Sequence, residues 1–304
     1  MIPQSFTRVL TLSLLALSSL LASCGASTIY DPFKPTRVIV FGDSFSLVAS
    51  SGAYTVNDGS VNNWASQIAA NYGVSSVVNQ AAGNALVSAV QTQVNNFGAN
   101  YQAGDLVVVS AGFRDVIDEA AGSNSTSNAT AKGTAYANVI RSLVANGAKH
   151  VVATNIYDLS KAPAAALTGS TSTNLAALNG ARGALVAAFN DAVKTNLGNT
   201  ALAPIGDNVR LVDLEYYFNL IKGTPNSYSF VDATTVVCTT LGSTVGVGTI
   251  DSSACAAADA TGASATTYTT PAYNNYVFAD AVYPTPAFHR AWGNNVYTQL
   301  IARW

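Results

Sequence analysis

The feature that most constrains this chain is an alternation of short β-branched runs with longer segments whose apolar residues recur at helical spacing. Arg37-Val-Ile-Val-Phe41, Ser76 to Gln80, Asp105-Leu-Val-Val-Val109, His150-Val-Val-Ala-Thr154 and Val209-Arg-Leu-Val-Asp213 are the β-type runs. The first is continuously apolar and bounded by Gly42, as expected of a strand buried on both faces. Between the runs, Val61 to Tyr72 places Trp64, Ile68 and Tyr72 on one helical face and stops at Gly73. Leu86 to Phe97 repeats the pattern with Leu86, Val90, Val94 and Phe97. Further helices are expected from about Ala131 to Ala145, Asn174 to Leu197 and Pro286 to Ala302, with a polar loop over Gly122 to Thr130. Strand and helix alternating in this way predict an α/β fold with a five-stranded parallel sheet. Right-handed crossovers make it a doubly wound, three-layer αβα sandwich.

The segment from Asn226 to Ala272 breaks this rhythm. It is rich in Thr, Ser, Gly and Ala, has no helical period, and carries Cys238 and Cys255. It is expected to be an excursion of loops with room for a β-hairpin, lying over the C-terminal ends of the strands. Its length marks it as functional, or at least as a lid. An even cysteine pair in an oxidising compartment is most simply a disulfide. Metal binding is not expected, because the chain has 2 histidines and no CxxC spacing.

Composition narrows the partners. Charged residues are 10% of the 304 and the net charge is −2, which excludes the basic surface a nucleic-acid-binding protein needs. The N-terminus narrows the location. Arg8 gives a weakly positive start, and Val9 to Ala22 form an apolar run too short to span a bilayer comfortably. Residues 1–23 are read as a signal peptide ending in Leu21-Ala22-Ser23-Cys24, which resembles a bacterial lipobox. That resemblance implies cleavage before Cys24 and acylation of this residue, anchoring the protein to the cell envelope. Gly25 follows where an inner-membrane retention signal often has Asp, so outer-membrane sorting is favoured. The alternative is an ordinary secretory signal cleaved near Ala22 or Ala26. Residues 24–36 are then anchor and linker, and 37–304 one domain.

In open α/β sheets ligands bind at the C-terminal ends of strands. Here those ends carry Gly42-Asp43-Ser44-Phe45, Ala81-Ala82-Gly83-Asn84 and Ala111-Gly112-Phe113-Arg114-Asp115. The last helix is preceded by Asp280-Ala281-Val282-Tyr283-Pro284-Thr285. In order, spacing and context these blocks resemble the SGNH or GDSL hydrolases, whose pattern is Gly-Asp-Ser, then a glycine, then Gly-x-Asn-Asp, then Asp-x-x-His-Pro. Asn155-Ile-Tyr-Asp-Leu159 adds to the likeness, which spans nearly all of the chain after the leader. It implies a flavodoxin-like SGNH hydrolase fold, Ser44 as nucleophile and Asp280 as the acid that orients the base. It also implies an oxyanion hole from the Ser44 amide, the Gly83 amide and the residue at position 114. Ester-bearing small molecules or lipids are the implied substrates, and serine ester hydrolysis needs no cofactor.

The chain departs from this pattern twice. Arg114 stands at the family's Asn, and Tyr283 at its His. A phenol with an ordinary pKa near 10 is a poor proton acceptor at neutral pH. His289, one turn into the last helix, is the one candidate for a substitute base, and a packed helix-face histidine is its plainer reading. His150 begins the fourth strand, at the end of the sheet away from the site. Two functions remain open: an ester hydrolase with an unconventional base, and a catalytically silent descendant that binds an acyl, glycan or protein ligand in the old cleft. Tyr54, Trp64, Tyr228, Phe230, Tyr273 and Tyr276 are candidates for an acyl pocket and equally for core packing.

Overall fold

The computed structural model describes residues 32–49, 51–58, 63–163, 182–199, 205–238, 252–257, 272–300 and 304. The leader and Cys24 lie outside the described residues. Among those described, no helix is long and apolar enough to cross a membrane.

Five strands, β1 (Arg37–Gly42), β2 (Val77–Asn79), β3 (Asp105–Ser110), β4 (Val151–Thr154) and β5 (Val209–Val212), form one sheet in the order β2-β1-β3-β4-β5. Every pairing is parallel. Val38 to Phe41 and Leu106 to Val109 are all 0% exposed, so the two central strands are covered on both faces, as their unbroken apolar runs require. At the other end of the sheet Arg37 forks onto Asp105, with Nε 2.8 Å from Oδ1 and Nη2 2.6 Å from Oδ2, tying β1 to β3. The strand order reverses direction between β1 and β3, and Gly42 pairs with Ser110 there. That is the switch point at which such sheets open a crevice.

The helices are α1 (Trp64–Asn71), α2 (Val87–Phe97), α3 (Phe113–Ala121), α4 (Thr126–Ala145), α5 (Arg182–Gly198), α6 (Leu214–Gly223) and α7 (Pro286–Leu300). α4 packs on α2, α3 and α5, while α1 packs on α7, giving the two outer layers of the sandwich. Both layers contain a glycine that lets helices approach. A Cβ on Gly133 would fall 2.2 Å from the Phe189 carbonyl oxygen, and one on Gly293 would fall 2.7 Å from that of Trp64.

Several expectations change. α3 and α6 were not foreseen. α4 starts at Thr126 instead of near Ala131, because Ser125 caps it by accepting from the Asn128 amide at 3.2 Å. The expected helix over Asn174 to Leu197 is described from Arg182, its first part lying outside the described residues. No hairpin forms from the described part of the excursion. Its strand β6 (Asp232–Val236) pairs in parallel with β7 (Tyr276–Phe278), so the partner comes from beyond the segment.

Cys238 and Cys255 are disulfide-bonded, with Cα atoms 6.0 Å apart. They are buried with Val56, Val237, Tyr273 and Ala279, and Tyr276 packs against this cluster. Trp64 and Phe230 are likewise core residues. His150 sits edge-on to the ring of Trp304, with centroids 5.0 Å apart.

Candidate active site

β1 ends in a turn that only glycine can make. Gly42 has φ +145°, and a Cβ there would lie 2.3 Å from the Ser110 carbonyl oxygen. The Gln93 side chain, from α2, satisfies both backbone groups of Gly42, accepting from its N–H at 3.0 Å and donating to its carbonyl at 2.9 Å. Asp43 then accepts from the Phe45 amide at 3.0 Å, closing a tight turn that fixes Ser44 between them. Ser44 is 3% exposed and Asp43 1%. Burial, opposed by the Phe45 amide and reinforced by the charge of Asp115, pushes the Asp43 carboxyl up to about 7.

The second block places a backbone donor on the serine oxygen itself. Asn84 takes the left-handed conformation, φ +57°, and its backbone N–H donates to Ser44 Oγ at 2.6 Å. Its side-chain amide donates to the Tyr54 hydroxyl at 2.7 Å. The Tyr54 ring lies against Gly83, where a Cβ would come within 3.0 Å of Cε2. Gly83 therefore seats the tyrosine, and the Asn84 amide is the group on the serine oxygen. Neither Asn84 nor Tyr54 was expected to hold the serine; the glycine-asparagine pair after β2 was the only available signal.

The third block divides its residues between two roles. Asp115 turns inward, accepts from the Val87 amide at 2.8 Å and lies 3.7 Å from Lys132 Nζ, so it anchors the start of α2. Arg114 is directed elsewhere. Its Nε lies 2.7 Å from Asp118 Oδ1, one turn along α3, and its side chain is 34% exposed. The pairing follows from helix geometry, since residues four apart on a helix are neighbours.

The fourth block is a turn closed from both ends. Asp280 Oδ1 accepts from the amides of Val282 at 2.7 Å and Tyr283 at 2.6 Å, while the Ala279 amide donates to the Tyr283 carbonyl at 2.9 Å. Asp280 is fully buried, and Ser252 is a further hydrogen-bond partner of its carboxylate. Burial pushes this carboxyl up to about 6 against the pull of those two amides. The turn delivers Tyr283, 2% exposed, to Ser44: the phenol and the serine hydroxyl are hydrogen-bonded. The Tyr54 ring lies tilted against that of Tyr283, with centroids 4.8 Å apart. Burial first, then the facing Asp43 and Asp280 carboxylates, hold the Tyr283 phenol well above its ordinary pKa despite the serine's hydrogen bond.

His289 is not brought to the serine. It is 1% exposed, lies on the Phe45 ring at 4.9 Å, and hydrogen-bonds the Tyr54 carbonyl. Burial, with the charge of Arg290, pushes its pKa down to about 3. Among the described residues no group of three or more His, Cys, Asp or Glu could hold a metal ion. The arrangement is thus a buried serine at a sheet switch point with an amide on its oxygen, an acid close by, and a protonated phenol beside it.

The fold is a doubly wound α/β sheet with a buried serine at its switch point. The profile of the GDSL-like lipase/acylhydrolase family matches residues 38–296, and the chain belongs to that family. Among solved structures it is similar to a lipolytic G-D-S-L protein from Veillonella parvula, with 13% identity and TM-score 0.49 over 88% of this chain and 99% of the other. It is also similar to a lipase/acylhydrolase from Enterococcus faecalis, with 11% identity and TM-score 0.43 over 88% and 96%. A phospholipase A1 from Streptomyces albidoflavus shows 16% identity and TM-score 0.40 over 88% and 100%. A search among curated proteins finds no match.

Proposed function

We propose that this protein is an envelope-anchored GDSL-family member whose Ser44 cleft binds ester-bearing or lipid ligands but hydrolyses them poorly or not at all. The hydrogen bond between the Tyr283 phenol and the Ser44 hydroxyl carries this reading. A serine nucleophile needs a neighbour that takes its proton. Tyr283, buried and facing two carboxylates, keeps its own proton at neutral pH. His289 is committed to the Tyr54 carbonyl and to the Phe45 ring. Loss of the base in a serine triad costs on the order of 10⁶ in turnover.

One observation favours a second reading, slow hydrolysis by Ser44 without an imidazole. The Asn84 amide, 2.6 Å from Oγ, would stabilise a serine alkoxide. Labelling with a fluorophosphonate, which reacts only with an activated serine, separates the two. The impaired reading expects no labelling of the wild type above Ser44→Ala, and labelling restored in Tyr283→His. Wild-type labelling that disappears in Ser44→Ala would establish the second reading.

Anchoring rests on the leader and Cys24, and outer-membrane sorting on Gly25. Metabolic incorporation of a palmitate analogue, abolished by Cys24→Ala, is the expected result; incorporation that survives the substitution would contradict it.

A further inference from the structure

A second recessed surface lies between α6 and α7, built without Ser44 or any residue of the four blocks. It is a groove of about 380 Å³ with walls of Tyr216, Tyr217 and Tyr228 over Leu220. Asp213, Asn295 and Gln299 complete its lining with polar groups. Tyr216 is 63% exposed and Leu220 37%, an unusual display for residues whose side chains a fold ordinarily buries.

The groove is preformed. The Tyr217 hydroxyl donates to the Ala291 carbonyl at 3.2 Å, and its ring meets Tyr228 edge-on at 5.8 Å and Trp292 at 5.6 Å. The Tyr216 amide is held by Asp213 Oδ1 at 3.0 Å, which caps the first turn of α6. Within the wall, the side-chain NH₂ of Asn295 is buried and has no hydrogen-bond partner among the described residues. A binding surface already held in shape loses little freedom when a ligand arrives.

Charge and polarity select the ligand. Among the described residues the one ionised group in the lining, Asp213, pairs with Lys194 at 2.9 Å, and no cation lines the groove. An anionic ligand would find no partner there. A hydrocarbon chain would strip water from Asp213, Asn295 and Gln299 and return no hydrogen bonds. A pyranose fits both halves of the lining: its C–H face is apolar enough to lie on a tyrosine ring, and its equatorial hydroxyls reach amide and carboxylate groups. The volume is at the small end of ligand sites, enough for a short stretch of sugar units. We propose that this groove is a binding site for a neutral oligosaccharide, separate from the Ser44 cleft.

The test is isothermal titration of the purified protein with cellohexaose, chitohexaose and mannohexaose, which differ in linkage and substituents. At least one is expected to bind saturably. Tyr216→Ala is expected to weaken binding about tenfold, the worth of one lost aromatic contact. Tyr216→Phe keeps the ring and is expected to stay near wild type, and Ser44→Ala to leave binding unchanged. Because Tyr216 is largely exposed, its replacement leaves the fold intact. No saturable binding of any of the three would overturn the proposal. So would binding indifferent to Tyr216→Ala, or binding abolished by Ser44→Ala.

Discussion

The Tyr283 phenol is hydrogen-bonded to the Ser44 hydroxyl, and the Tyr54 ring lies 4.8 Å from the Tyr283 ring. Two tyrosines therefore close over a serine that sits where a hydrolase of this fold keeps its nucleophile. The turn that presents Tyr283 is held by Asp280 through two backbone amides, so the acid of the fourth block serves the phenol's position.

Tyr283→Phe keeps the ring against Tyr54 and removes only the bond to Ser44. A buried hydrogen bond contributes about 1 kcal/mol net, so a thermal melt is expected to show a small loss of that order. An unchanged or higher melting temperature would mean the phenol–serine bond contributes nothing to the closed site.

The buried acids set a pH dependence. The Asp43 carboxyl is raised to about 7 and that of Asp280 to about 6, against an ordinary value of 3.8. The native state therefore holds these protons more tightly than the unfolded chain. Their stabilisation is complete below pH 4 and is lost as pH rises through 6 and 7. His289, lowered to about 3, works in the opposite direction, its contribution fading as pH falls below 6.5. The contrast is cleanest in a variant. Asp43→Asn keeps an acceptor for the Phe45 amide and removes the ionisation, so its stability relative to wild type should rise between pH 4 and pH 8. Urea denaturation of both proteins across that range checks it, and a flat difference would contradict the raised carboxyl.

The disulfide reaches the site through one short segment. Asn57 donates from its backbone to the Cys255 carbonyl at 2.7 Å and from its side chain to that of Ser253 at 2.9 Å. Three residues earlier stands Tyr54. Cys238 and Cys255 are 17 apart in sequence, and closing a loop of that size stabilises a fold by about 3 kcal/mol. The double Cys→Ser variant should melt lower, with faster amide exchange over residues 53–58 than over β3. Exchange raised equally everywhere would show that the disulfide does not act through that segment.

Gly133 marks a close approach of α4 to α5. A Cβ there would stand 2.2 Å from the backbone oxygen of Phe189, which cannot rotate away. Gly133→Ala should cost about 1–3 kcal/mol through helix displacement, measured by denaturation. A gain, as helix propensity alone predicts, would argue against this packing.

The strands were legible because a two-face-buried strand is written as an uninterrupted β-branched run, and β1, β3 and β4 are such runs. Ser44, Asp280 and Tyr283 were legible because each follows a strand end or precedes the last helix at short range. The pairing of Arg114 was not legible because the helix that follows this block was not foreseen. Once Phe113–Ala121 is a helix, Asp118 stands one turn away and captures the guanidinium. The parallel pairing of β6 with β7 had no local signal, since register between strands so far apart in sequence is set by tertiary packing. Asn84 escaped notice for a similar reason: its role depends on a backbone amide, which no side chain announces.

The most direct test of the proposed loss of catalysis is steady-state hydrolysis of p-nitrophenyl butyrate by wild type, Ser44→Ala and Tyr283→His. The account predicts wild-type turnover equal to that of Ser44→Ala, and a rise of about 10²-fold in Tyr283→His once an imidazole stands beside Ser44 and Asp280. Wild-type turnover that is substantial and vanishes in Ser44→Ala would contradict it.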